Sequence, residues 1–167
     1  MLFIVSESVE KEIQTMKRII ITIGILISLA GIAYAVDLIK EEPVDLLTPE
    51  EGAMAEAKSF GYTADLPKSG PAIKVLAPDT GKEQQSPFRL SVKFVPKPGS
   101  SVDPASLKVE ALKFVTLDLT NRVKPYVTPE GINMEQAKIP SGNHKLRVTI
   151  GDGKGGITQE IFSVRVQ

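Results

Sequence analysis

The chain has 167 residues, 42% of them hydrophobic, with 20 Lys and Arg balanced by 20 Asp and Glu, one histidine and no cysteine. Zero net charge removes the electrostatic drive toward nucleic acid, and this hydrophobicity excludes intrinsic disorder. Disulfides, thiolate nucleophiles and Cys-based zinc sites are excluded, and one histidine cannot build a His-rich metal site within a subunit.

The first element is an export signal. Met16-Lys17-Arg18 supplies a basic start, Ile19 to Ala30 is an apolar run, and Ala33-x-Ala35 offers the small side chains a signal peptidase accepts. This layout predicts a signal peptide over residues 1–35, with Met16 as the true start and cleavage after Ala35. Glu7, Glu10 and Glu12 make the preceding stretch acidic, which fits a start-site assignment upstream of the real one. The rival is an uncleaved anchor over residues 19–36, near the lower length limit for a spanning helix. Either way the basic end stays inside, and residues from Asp37 onward reach the periplasm or the exterior. A lipid anchor is excluded for want of a cysteine.

Residues 36–70 form an acidic extension with eight acids against three bases, while 71–167 carry fourteen bases against nine acids. The extension either lies against the basic domain or stays solvated. It contains a helix near 49–60. Thr48 is positioned to cap it, Pro49 occupies the first helical position, Glu51 completes a capping box, and Lys58 and Gly61 close it. Its apolar stripe of Met54, Ala57 and Phe60 either docks on the core or engages another protein.

From Pro71 the pattern has the period of strands. Ala72 to Leu76 is a short run, and Phe88, Leu90, Val92 and Phe94 alternate with Arg89, Ser91 and Lys93. Leu107, Val109 and Ala111 follow, then Val115, Leu117 and Leu119, then a weak run over Ile132 to Ala137. Leu146, Val148 and Ile150 form a hairpin with Phe162, Val164 and Val166 across Gly151 to Gly156. Six or seven short strands without a convincing internal helix predict an all-β, antiparallel sandwich over 71–167.

The string from Pro140-Ser141-Gly142-Asn143-His144 through Leu146-Arg147-Val148, Gly151-Asp152-Gly153 and Phe162-Ser163-Val164 resembles the last two strands of bacterial immunoglobulin-like domains. Val102-Asp103-Pro104-Ala105-Ser106-Leu107 resembles the entry to a middle strand of such domains. The resemblance covers Ala72 to Gln167 and implies an immunoglobulin-like sandwich of about seven strands. It carries over no catalytic residue. Only one copy is present, unlike the repeated modules of adhesin stalks.

The residues that invite chemistry have plainer readings. Asp79-Thr80-Gly81 resembles the triplet of aspartic proteases, which needs two carboxylates sharing a proton, so one copy would require a symmetric dimer. Pro78 before it and Lys82-Glu83 after it suggest an exposed turn. Ser141, His144 and Asp152 are the residue types of acyl transfer without the spacing for it, and Asp152 lacks the second carboxylate of a calcium loop. Gly151 to Gly156 lacks the phosphate-loop order. Tyr62 or Tyr126, if exposed beside polar groups, would suit a glycan. Ala111 to Val115 breaks alternation, as a bulge, a doubly covered strand or an exposed docking patch.

The expectation is therefore a non-enzymatic interaction or structural module of the cell envelope, with no catalytic, metal or cofactor residues and with an envelope protein or polysaccharide as partner. A glycan-binding module is the second reading, and a hydrolase using Asp79 the third.

Overall fold

The computed structural model describes residues 42–57 and 66–167. The signal-peptide assignment, Tyr62, and the Lys58 and Gly61 end of the predicted helix lie outside them. The compact unit runs from Glu42 to Gln167, and it is an all-β sandwich of two five-stranded sheets.

The elements in chain order are β1 (Val44–Asp45), α1 (Pro49–Ala53), β2 (Ala72–Ala77), β3 (Glu83–Gln84), β4 (Phe88–Val95), β5 (Val102–Leu112), β6 (Thr116–Asp118), α2 (Thr120–Val123), a 3-10 turn (Lys124–Tyr126), β7 (Val127–Thr128), β8 (Gly131–Lys138), β9 (Gly142–Asp152) and β10 (Ile157–Val166). One sheet has the order β1-β8-β4-β2, with β7 also on β8; the other runs β3-β10-β9-β5-β6. Pairing is antiparallel except for two-residue parallel contacts of β1 with β8 and β3 with β10.

The alternating residues meet between the sheets. Leu90, Val92 and Phe94 of β4 and Ile132 and Met134 of β8 come from one sheet. Val109 and Ala111 of β5, Leu146, Val148 and Ile150 of β9, and Phe162 and Val164 of β10 come from the other. Each large aliphatic side chain so buried contributes about 1.5–3 kcal/mol. The β4–β8 ladder leaves no room for a side chain at Gly131 (φ +152°), where a Cβ would collide with the Val92 carbonyl oxygen.

Four differences from the sequence expectations have physical causes. Of the expected extension over 36–70, residues 42–57 pack as part of the sandwich, because Leu46 and Leu47 are fully buried in its core and β1 extends the first sheet. α1 stops at Ala53 rather than near residue 60, because Met54 is extended and the backbone beyond it pairs with the end of β5. The capping box itself is present, with the Thr48 hydroxyl accepting from Glu51 N–H and Glu51 Oε2 accepting from Thr48 N–H. The fourth strand predicted, around Val115 to Leu119, is only Thr116–Asp118, and Leu119 turns into the one-turn α2. Ile132–Ala137, the weak run, is a central strand joined to β1, β4 and β7.

Candidate functional site

The most unusual surface is the turn from β5 to β6. Ala111, Leu112 and Lys113 are consecutively buried, and the next two residues project, Phe114 84% and Val115 57% exposed. So the Ala111–Val115 run is covered along its first part and bare at its tip. Met54, 39% exposed, precedes the strap residue Ala55, whose carbonyl accepts the Phe114 amide at 2.7 Å. Isolated exposed apolar residues are common on protein surfaces, but a nearly bare phenylalanine followed by a valine at a hairpin tip is a contact-forming shape.

Directly under this tip is a polar cluster. Residues Ala55 to Ala57 form a strap across the end of β5, with Glu56 bridging Lys113 and the Ala57 amide donating to Leu112 O at 3.3 Å. The strap lies where β5 and β9 part company, beyond their last register pair, Ala111 with Leu146. Lys113 is only 2% exposed, and its Nζ donates to Gly52 O at 3.0 Å and Asn143 O at 3.5 Å. His144, the first inward residue of β9, is 1% exposed. Its Nε2 sits 2.9 Å from Pro140 O, an acceptor only, so Nε2 carries the hydrogen and Nδ1 is the free acceptor. That Nδ1 and Glu56 Oε1 are both buried without a hydrogen-bond partner.

Burial, and next the charge of Lys113, push the His144 pKa below its ordinary 6.5, with the Pro140 contact and Glu56 opposing. Burial likewise lowers the Lys113 ammonium pKa, with Glu56 opposing. The imidazole is therefore neutral and the cluster carries one buried cation, Lys113, answered by Glu56. Glu56 Oε2 also faces Lys145 Nζ at 3.7 Å. The acidic segment does lie against the basic domain here, and again where Arg122 makes a two-pronged pair with Glu51 at 2.6 and 2.8 Å while donating to Leu46 O. Those Arg122 hydrogen bonds lower the Glu51 pKa.

The residues that sequence reasoning weighed for catalysis are not brought together. Asp79 lies in an exposed turn, accepting from Gly81 N–H at 3.0 Å and facing Lys82 at 3.2 Å. Those two contacts hold its pKa below the usual carboxylate value, the reverse of a proton-sharing dyad. Ser141 is exposed and His144 buried, and Asp152 stands eight residues from His144 along β9, about 26 Å away at strand rise. Both Lys154 and Gly156 amides donate to Asp152 Oδ1, which is thereby committed to shaping its own hairpin. Tyr126 is half-buried and packs on the core, which counts against its use as a sugar platform. Among the described residues no three His, Asp or Glu side chains are grouped to hold a metal ion.

Sequence reasoning missed Lys113 and Glu56. A signal existed for the first, a lysine flanked by Leu112 and Phe114 inside an apolar run. Nothing marked Glu56 among its acidic neighbours.

No family model and no curated protein matches the chain. Among solved structures it is similar to CopC from Methylosinus trichosporium OB3b, at 13% identity and a TM-score of 0.37, covering 57% of this chain and 94% of that one.

Proposed function

We propose that this chain is an exported, non-enzymatic interaction module of the cell envelope that contacts another envelope protein through Phe114 and Val115. The observation that carries this reading is the apolar tip itself, where two consecutive residues, Phe114 and Val115, are exposed and the phenylalanine is nearly bare. Truncating or covering such an aromatic anchor typically changes binding by more than any neighbouring polar contact does. Export rests on the Met16 to Ala35 pattern, which favours the periplasm or the exterior. Asp79, bound into its own turn, offers nothing to a hydrolase reading.

A photo-crosslinking residue placed at position 114 in intact cells tests the proposal, with the exposed Ser163 of β10 as control position. Discrete protein adducts at 114 that are missing at 163 are the expected result. The same adduct pattern at both positions, or none at 114, would overturn it.

A further inference from the structure

We propose that His144 and Lys113 form an acid-sensitive latch, which keeps the strap Ala55–Ala57 on the end of β5 at neutral pH and lets it go when the imidazole takes up a proton.

The geometry leaves the proton one place to land. Nε2 already bears a hydrogen directed at Pro140 O, so protonation occurs at Nδ1, which is buried and makes no hydrogen bond in the closed cluster; the Ser141 backbone and Glu56 favour the charged ring, but burial and Lys113 outweigh them. The new charge arises among groups already set. Lys113 comes from β5, with two of its three donors taken by the carbonyls of Gly52 in α1 and Asn143 in β9. Glu56 of the strap is the counter-charge, but it is also turned toward Lys145 of β9. From β10 the neighbour in register is Val164, which is uncharged. Closed and protonated, the cluster would hold three cations around one carboxylate, two of them away from water. Burying unpaired charge is costly, and the cost is relieved by whichever element yields most easily.

That element is the strap. β9 is tied to β10 by ten consecutive register pairs, whereas the strap is tied to β5 by two backbone hydrogen bonds, at 2.7 and 3.3 Å. Lifting it hydrates Lys113 and His144 and frees the Leu112 carbonyl and Phe114 amide beside the exposed tip. The device stands whether or not that tip has a protein partner.

Opening takes up one proton, so the opening constant rises as pH falls below the hydrated imidazole's value of about 6.5, by up to about tenfold per pH unit. Residue-resolved amide hydrogen exchange on the full chain, corrected for intrinsic exchange rates, reads this at about pH 7.5 and about pH 5.5. The Ala57 and Phe114 amides lose protection at least severalfold at the lower pH, while Val148 in the middle of β9 keeps its own. His144→Gln, which retains a donor for Pro140 O but does not titrate, abolishes that pH dependence. Protection at Ala57 and Phe114 that ignores pH, an equal loss at Val148, or an unchanged pH dependence in His144→Gln would each overturn the latch. If His144→Gln does not fold, Lys113→Met takes its place: with the neighbouring cation gone the closed imidazole accepts its proton more readily, so the loss of protection between the two pH values shrinks, and an undiminished loss counts against the proposal.

Discussion

The β9–β10 hairpin is joined by ten register pairs, from Ile157 with Gly151 to Val166 with Gly142. Residues 42–57 touch the same sandwich through two parallel pairs at one end and a single bridge at the other. In the hairpin the inward side chains alternate from His144 to Ile150 and the backbone ladder repeats, so its attachment hangs on no single polar contact. The N-terminal segment instead depends on a few named groups, Leu46 and Leu47 in the core, Glu51 against Arg122, and Lys113 under the strap. Repetition makes a structure tolerant, whereas specific contacts make it switchable.

The largest effect that sharpens this contrast comes from the core. Leu46→Ala is expected to destabilise the domain by about 2–5 kcal/mol, as much as Leu146→Ala in the hairpin, because both side chains are 0% exposed. Chemical denaturation reads this, and a loss below about 0.5 kcal/mol at Leu46 would return the segment to the status of a surface appendage. Next comes Arg122→Ala, which removes the paired bonds to Glu51 and the one to Leu46 O at once. A loss of about 1.5–3 kcal/mol is expected, without matching recovery in the Glu51→Ala, Arg122→Ala double variant.

Acid should act on the segment before the hairpin. The folded state keeps His144 neutral and its pKa lowered, so that contribution to stability is complete above the unfolded value of 6.5 and is lost as pH falls below it. Glu51 acts lower on the scale, its contribution present above its ordinary 4.5 and lost as pH falls through the lowered folded value. Denaturant midpoints from about pH 8 to about pH 2.5 should therefore fall in two stages, with slopes of at most about 1.4 kcal/mol per pH unit per group. A single stage beginning only in the carboxylate range would remove His144 from the account. The smallest effect belongs to Asp79→Asn, where an exposed turn is expected to show no measurable change in stability or in any adduct formed at position 114.

What the sequence made legible follows the same division. The hairpin strands, β4 and the inner half of β5 announce themselves by alternation, because both neighbours of each strand impose the same period. β8 is harder to see, since its register against β4 shifts between Phe88 and Leu90 and the inward set becomes Ile132, Met134 and Ala137. β1 is invisible for another reason: a strand of two residues, Val44–Asp45, carries no period, and only tertiary contact decides that Leu46 and Leu47 belong to the core. α1 has every starting signal and is nonetheless cut to five residues, because strap pairing with Leu112 and Phe114 captures the backbone that would have continued it. The candidate site suffers most. The buried lysine, the strap glutamate and the lone histidine lie far apart in sequence, at 113, 56 and 144, so nothing local links them.

Gly52, whose carbonyl receives Lys113, stands so close to the ring of Pro140 that even a methyl group at 52 would overlap it, and the Pro140 carbonyl in turn steadies His144. Positions 52 and 140 thus share a fixed volume across 88 residues of chain. Any descendant that enlarges the first must trim the second, and the pair should drift together or stay frozen.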